Sequence, residues 1–214
     1  MPPQHSGEAT AADPQSEDWL LVRPWRKAKR LELIERRMAK SADERNRDSE
    51  PVLQRLLELI DVSSYPTVGL YWPIRGEIDL RPLARRHVAC GGRVGLPVVV
   101  QSAAPVEFWL WEPGVPLVRG QWDIPVPKER RPVTPDLLVI PLVGFDRALY
   151  RLGYGGGFYD RTLAAATPRP RTIGIGFADA ELPTIHPQRH DIPMDRIVTN
   201  AFLLPPDLQS GQPP

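Results

Sequence analysis

The chain has 214 residues, with 27 lysines and arginines against 26 aspartates and glutamates, and a formal net charge of +1. This length suits one domain with a sizeable core, and the balanced charge favours neither nucleic acid nor a membrane surface as a partner. The one cysteine, Cys90, excludes an intrachain disulfide, and the sequence shows no transmembrane-length apolar run and no signal-peptide core. We predict a cytoplasmic monomer and interpret Cys90 as a small buried residue at a helix end.

The two ends of the chain differ in composition from its middle. Residues 1–20 are rich in Pro, Ala, Ser and Glu without periodicity, and residues 205–214 have a similar character. Such segments bury too little apolar surface to fold. We therefore predict a disordered tail over residues 1–20, a single domain over residues 21–204 and a flexible tail over residues 205–214.

Two helices are predicted in the first third of the domain. Pro24 suits the first turn of a helix that runs to about Lys40 and carries a basic face. Ser41 and Glu44 fit a capping box that opens the second helix, which Pro51 should kink or divide. That second helix carries a core stripe of Leu53, Leu56, Leu57 and Ile60.

Short apolar segments predict the strands of one sheet, at residues 67–72, 93–100, 106–111, 137–141, 172–177 and 197–199. A helix capped by Asp79 is predicted to run to about Ala89, and the proline-rich residues 114–131 are predicted to form a loop. Because strands alternate with helices, we expect an α/β protein whose mostly parallel sheet is covered on both faces.

The stretch Arg151–Arg161 follows the 137–141 strand and contains four glycines within five residues. Glycines let backbone N–H groups approach a ligand closely, and a helix predicted over residues 159–166 would add unpaired donors at its start. This pattern suits a phosphate, and Asp160 could hold a metal ion beside it. The alternative is a tight turn followed by an ordinary helix start.

Other candidate residues lie on the first helix and after the first strand. Arg26 and Arg30 are four residues apart and could clamp a polyphosphate, or they could form a solvated basic face. Glu77 follows a strand, where open α/β sheets place ligand contacts, although it could be an exposed loop acid. Trp72 could stack on a flat ligand or belong to the core.

Several common sites are absent from the sequence. It contains no Cys-x-x-Cys pair for zinc and no Gly-x-Ser-x-Gly elbow for a serine hydrolase. The remaining candidates are glycines, acids and arginines. That set suits phosphoryl transfer, in which positioning and charge neutralisation supply most of the catalysis.

The run Pro141–Arg161 resembles the signature of the 5-formyltetrahydrofolate cyclo-ligase family, also called 5,10-methenyltetrahydrofolate synthetase. The resemblance spans residues 25–200 and includes companion segments in the basic first helix, at Ser41–Arg45, at Tyr71–Asp79 and from Ile175 to Asp191. It implies a three-layer α/β/α sandwich that binds 5-formyltetrahydrofolate, ATP and Mg²⁺. In that chemistry the formyl oxygen attacks the γ-phosphate to give an iminium phosphate. The other folate nitrogen then closes the ring, so the products are 5,10-methenyltetrahydrofolate, ADP and phosphate, and no catalytic nucleophile of the protein is expected.

The resemblance also implies roles for individual residues. Those implied to bind ATP are Arg26, Lys27, Arg30, Arg151, Leu152, Gly153, Tyr154, Gly155, Gly156, Gly157, Phe158 and Tyr159. Those implied to bind the folate are Trp72, Glu77, Tyr154, Gly155, Gly156, Gly157 and Phe158. Asp160 and Asp191 are implied to hold magnesium. The sequence departs from the family pattern at Arg26, where lysine is usual, and at Lys29, where leucine is usual; Lys27 could serve instead.

Two alternatives stay open at this point. One is a different enzyme on a related scaffold, such as a sugar-phosphate isomerase or a CoA-transferase-like protein, with Glu77 as its acid and no need for ATP. The other is a non-catalytic binder of folate or nucleotide that regulates one-carbon flow.

Overall fold

The structure is a computed structural model that describes residues 17–206. Most of both predicted tails, residues 1–16 and 207–214, therefore lies outside the described residues. The first helix, α1, covers Glu17–Ala39, so residues 17–20 are helical and their assignment to the N-terminal tail was wrong. None of the helices in the described part of the chain is long and apolar enough to cross a membrane.

Pro24 lies inside α1 and not in its first turn. The helix start was misplaced because contacts before the proline offset the backbone hydrogen bond that proline cannot donate. The Trp19 ring packs edge-on against His190, with 6.0 Å between the ring centroids, and Val22 is buried.

The second helix, α2, covers Ala42–Leu59, and the predicted capping box at its start is confirmed. Ser41 Oγ accepts the Glu44 N–H at 3.2 Å, and Glu44 Oε2 accepts the Ser41 N–H at 2.7 Å. Pro51 does not divide α2, which continues through it.

The third helix, α3, covers Arg81–Ala89 and has Leu80 at its N-cap, so Asp79 lies one residue outside the predicted position. The Asp79 carboxylate still accepts the Arg81 N–H, at 2.9 Å. The prediction that Cys90 is buried at the helix end was wrong, because Cys90 follows α3 but is exposed. The fourth helix, α4, covers Phe158–Ala165.

The strands, in chain order, are β1 Thr67–Gly69, β2 Arg93–Val98, β3 Glu107–Trp111, β4 Leu117–Arg119, β5 Pro125–Pro127, β6 Pro132–Val133, β7 Leu137–Pro141, β8 Gly144–Phe145, β9 Arg151–Leu152, β10 Arg171–Ile175, β11 Arg196–Val198 and β12 Leu203–Leu204. The main sheet has eight strands in the order β12-β11-β10-β7-β1-β2-β3-β6. Neighbours from β11 to β2 pair in parallel and the outer strands pair antiparallel. Residues 114–131 contain the small β4–β5 hairpin, so their prediction as a loop was incomplete.

Helices cover both faces of the main sheet. Consecutive side chains of a strand point to opposite faces, and β7 shows this: Val139 packs with Leu56 and α3, whereas Leu138 and Ile140 pack with Leu33 of α1. The α2 and α3 helices thus lie on one face and α1 and α4 on the other. This confirms the predicted three-layer α/β/α sandwich with a mostly parallel sheet.

Candidate active site

The candidate site lies beyond the carboxyl ends of β1 and β7, where an open parallel sheet places its ligands. The β8–β9 hairpin follows β7 and leads into residues 153–157, which we name the glycine loop, and α4 follows. A buried aspartate, Asp146, holds the hairpin: its carboxylate accepts the N–H groups of Ala148, Tyr150 and Ile185 at 3.0 to 3.2 Å. This anchor was not identified from the sequence.

Two glycines in the loop adopt backbone angles that disfavour other residues. Gly155 has a φ of +95° and Gly157, directly before α4, a φ of +64°. The Arg30 guanidinium lies over the loop: a Cβ added to Gly155 would stand 3.3 Å from Arg30 Cζ. Arg30 Nε also donates to the Gly153 carbonyl at 2.5 Å. The structure therefore brings Arg30 against the glycine loop.

The electrostatics of this contact suit an anion. Burial, followed by the neighbouring Arg26 cation, lowers the pKa of Arg30 from its usual value. A bound anion would relieve the repulsion between the two guanidinium groups. The neighbouring Lys27 is exposed.

Glu77 is deeply buried, with 3% of its side chain exposed, so it is not an exposed loop acid. Its Oε2 accepts the Ile74 N–H at 2.9 Å, and its Oε1 accepts the Tyr154 hydroxyl at 2.7 Å. Burial raises the pKa of Glu77 above its usual value, and the nearby Arg37 guanidinium is the strongest influence in the other direction. Glu77 and the glycine loop thus meet through Tyr154.

Arg37 is a second residue of this site that was not identified from the sequence, because it was counted only within the basic face of the first helix. Its side chain is buried, and Nη2 donates to the Tyr154 hydroxyl at 2.6 Å. A signal was present: Arg37 follows the buried residues Leu33 and Ile34 at helical core spacing.

Two arginine–carboxylate pairs fix the other side of the site. Arg26 Nη2 lies 2.5 Å from Asp191 Oδ2, and Arg151 Nη2 lies 2.7 Å from Asp160 Oδ1. Arg26 further donates to the carbonyls of Ile185 and His186, so its guanidinium is occupied by the segment 185–191. In this structure Arg26, which was predicted to bind ATP, holds the segment 185–191 in place.

Asp160 differs from Asp191 in how much of its carboxylate is engaged. Oδ1 of Asp160 takes both contacts, from Arg151 and from the Ile192 N–H at 3.0 Å, while Oδ2 has no hydrogen-bond donor among the described residues. Both oxygens of Asp191 are bonded to Arg26, and Oδ2 also accepts the Gln188 N–H. Over residues 17–206 no group of three His, Cys, Asp or Glu could hold a metal ion by itself.

Aromatic residues occupy distinct places around the site. The Trp72 ring lies under the Arg81 guanidinium, 5.6 Å from its centroid, and packs against the core cluster that contains Tyr71. Tyr159 lies deeper, and burial followed by the Glu77 charge raises its pKa. Trp122, in the turn between β4 and β5, packs edge-on against Phe158 with ring centroids 5.6 Å apart. The position of Trp122 could not be predicted, because this contact joins two segments that are distant in the sequence.

Comparisons with known proteins agree on one family. A model described as the 5-formyltetrahydrofolate cyclo-ligase family matches residues 22–200. The 5-formyltetrahydrofolate cyclo-ligase of Escherichia coli (strain K12) is 35% identical over 173 residues, which cover 77% of this chain and 94% of that protein. The mouse (Mus musculus) protein of the same name is 25% identical and covers 79% of this chain and 90% of its own length.

Solved structures agree with the sequence relatives. The 5,10-methenyltetrahydrofolate synthetase of Aquifex aeolicus superposes with a TM-score of 0.73 at 30% identity, covering 88% of this chain and 95% of that one. The synthetase of Mycoplasma pneumoniae gives a TM-score of 0.67 at 25% identity, covering 82% and 98%. Each likeness extends over nearly the whole described domain.

Proposed function

The chain belongs to the 5-formyltetrahydrofolate cyclo-ligase family, and we propose that its site acts as follows. The protein is an ATP-dependent ligase that cyclises 5-formyltetrahydrofolate to 5,10-methenyltetrahydrofolate. The assignment of the site depends on the hydrogen bond from the Tyr154 hydroxyl to Glu77. It joins a glycine loop suited to phosphate with a buried carboxylate suited to a pterin.

We assign the phosphates of ATP to the glycine loop and the start of α4. Left-handed angles at Gly155 and Gly157 turn the backbone, and the first N–H groups of α4 are the natural donors for an anion. The Arg30 guanidinium over Gly155 supplies positive charge. We propose that Arg26 acts indirectly, by holding the segment that carries Asp191, and that the exposed Lys27 reaches ATP from the same helix.

We assign the pterin ring of the folate to Glu77. An ionised carboxylate only accepts hydrogen bonds, and a pterin offers ring N–H and amino donors. Because Glu77 is buried, each such bond forms in a low-dielectric site and gains strength there. Tyr154 occupies Oε1 in this structure, so the pterin donors would share or replace that contact. Residues 155–158 would face the folate from the other side. Trp72, which the structure places against Arg81, is the folate residue with the least support.

We propose that Asp160 holds magnesium beside the phosphates. Mg²⁺ commonly takes one or two carboxylate oxygens and completes its shell with water and phosphate oxygens, so the open Oδ2 of Asp160 fits this role without a three-residue cluster. Asp191 fits less well, because it would have to share its carboxylate between the ion and Arg26. When bound, magnesium would neutralise charge on the transferring phosphoryl group.

The protein's own residues position the reactants and supply no nucleophile. Arg30 and the loop N–H groups orient the phosphates, and Glu77 orients the pterin, so that the formyl oxygen meets the terminal phosphate in line. Neither alternative, the isomerase or transferase and the non-catalytic regulator, is favoured by a contact in the described residues. The cytoplasmic location and the monomeric state stay predictions.

An ADP-release assay tests the assignment. Purified protein is incubated with MgATP and either 5-formyltetrahydrofolate or 5-methyltetrahydrofolate, which lacks the formyl oxygen. We expect ADP release with the formyl compound only. Equal release with both, or with neither, would contradict a formyl oxygen acting as the phosphate acceptor.

A further inference from the structure

Arg37 is a buried cation that joins three segments of the site. Its Nε donates to the Arg75 carbonyl at 2.9 Å, Nη1 to the Leu142 carbonyl at 3.2 Å and Nη2 to the Tyr154 hydroxyl at 2.6 Å. These acceptors belong to the loop after β1, the segment after β7 and the glycine loop. One side chain of α1 therefore sets the relative position of the proposed folate and phosphate sites.

The direction of hydrogen bonding through Tyr154 is fixed by its neighbours. A guanidinium only donates and an ionised carboxylate only accepts. The Tyr154 hydroxyl therefore accepts from Arg37 and directs its single proton to Glu77, 2.7 Å away. Arg37 Nη2 itself lies 3.9 Å from Glu77 Oε1, close enough to balance its charge directly.

We propose that Arg37 is a positioning residue for the folate site, which orients the Glu77 carboxylate through Tyr154 and supplies the cation that keeps it ionised. This inference rests on the proposed function and assigns a role to a residue for which the family resemblance implied none. Without Arg37, Glu77 would remain buried beside a tyrosine hydroxyl that is free to rotate.

The surroundings of Glu77 make its ionisation sensitive to Arg37. The titratable or charged groups that face it come from α1, its own loop, the segment just after β1, the glycine loop and α4. They are Arg37, Arg75, Tyr71, Tyr154 and Tyr159. Burial raises the pKa of Glu77, and Arg37 is the largest opposing influence. Loss of Arg37 therefore raises that pKa further, and the ionised, folate-binding form is lost at a higher pH as the solution is acidified.

The test compares Arg37→Gln, Arg37→Lys and Tyr154→Phe with wild type, with Arg36→Gln as a matched control. Arg36 is on the same helix, but it is exposed and donates to the Asp179 carbonyl. Steady-state KM for 5-formyltetrahydrofolate and for ATP is measured across the acid and neutral range, and folding is checked by thermal unfolding.

We expect Arg37→Gln to raise the folate KM on the order of 10- to 100-fold, the range for losing one charge-assisted hydrogen bond. We expect the ATP KM to change by less than about threefold, and the acid limb of kcat/KM for folate to move to higher pH. Arg37→Lys should keep the acid limb near its wild-type position but recover the folate KM only in part, because lysine keeps the charge without the fork geometry. Tyr154→Phe should raise the folate KM and be less than additive with Arg37→Gln, because both interrupt one chain of hydrogen bonds.

Other outcomes distinguish a wrong role for Arg37 from a wrong proposed function. If Arg37→Gln raises both KM values alike with an unmoved acid limb, or leaves the folate KM unchanged, the inference is wrong while the proposed function stands. If Arg37→Gln does not fold, the double variant Arg37→Lys with Tyr154→Phe is measured in its place. Additive effects of the two changes on the folate KM would then overturn the inference. If folded wild-type protein shows no turnover at all, the proposed function fails first and this inference fails with it.

Discussion

Replacement of Arg26 by methionine tests whether this arginine holds the fold or contacts ATP. The variant keeps most of the side-chain volume but removes every donor, leaving the Asp191 carboxylate, 10% exposed, without its cation. The Ile185 carbonyl also loses the Arg26 donor, while the His186 carbonyl keeps its hydrogen bond from Gln188. Breaking a buried ion pair by removing one member costs about 3–5 kcal/mol. For a domain of this size that is a fall in the melting temperature of roughly 6–20 °C.

The assay is denaturant unfolding, in which the midpoint should fall while the slope with denaturant stays constant. Arg23→Ala on the exposed side of α1 is the control and should change the unfolding free energy by less than about 0.5 kcal/mol. The double variant Arg26→Met with Asp191→Asn should recover part of the loss, because it no longer buries an unpaired charge. If Arg26→Met unfolds like wild type while its KM for ATP rises steeply, Arg26 is an ATP ligand and its role in holding the segment 185–191 is refuted.

Three further predictions concern the proposed ligands and the loop. Asp160→Asn should raise the magnesium concentration needed for half-maximal turnover by about tenfold or more, as titration of the metal would show. It should also lower the unfolding temperature, because the buried Arg151 loses its carboxylate partner. An unchanged magnesium requirement would exclude the metal role. Glu77→Gln should stabilise the fold at neutral pH while weakening folate binding. A carboxyl whose pKa is higher in the folded than in the unfolded protein contributes less stability as the pH rises from the unfolded pKa through the folded pKa. The unfolding free energies of wild type and Glu77→Gln should therefore differ more above that pH window than below it. A difference that does not change with pH would contradict the prediction. Gly157→Ala should cost about 1–2 kcal/mol, because φ there is +64°, whereas Gly153→Ala, with open space around the added Cβ, should cost less than about 0.5 kcal/mol; equal unfolding midpoints would show that the turn tolerates a side chain.

The strands and the glycine loop could be predicted because their signals are local. Apolar runs bounded by turn residues indicate buried strands, and a glycine cluster before a helix indicates a turn that approaches a ligand. Glu77 was a candidate because it follows a strand, and the resemblance added its implied folate role, but no local pattern reveals its burial.

The burial of Arg26 and Arg37 could not be predicted from the sequence. Arg26 and Arg37 continue the spacing of the buried residues Val22 and Leu33, yet a charged side chain at a core position is normally assigned to the surface. Their burial depends on acceptors from the distant segments 185–191 and 75–77, which only the folded chain brings near. Asp146 was missed for the same reason, because one of its three backbone partners, Ile185, is far away in the sequence.

The β4–β5 hairpin was hidden by its composition. Its strands contain or adjoin prolines, which are depleted in strand interiors, so residues 114–131 resembled a loop. The pairing of Val118 with Val126 becomes visible only in the structure.

The most direct test of the central claim is optical. Purified protein is mixed with MgATP and 5-formyltetrahydrofolate, and the near-ultraviolet absorbance band of 5,10-methenyltetrahydrofolate is followed, with ATP omitted in the control. We predict that the band grows only when ATP is present. Folded protein that gives a flat trace with ATP, or the same growth without it, would contradict the assignment of an ATP-dependent cyclo-ligase.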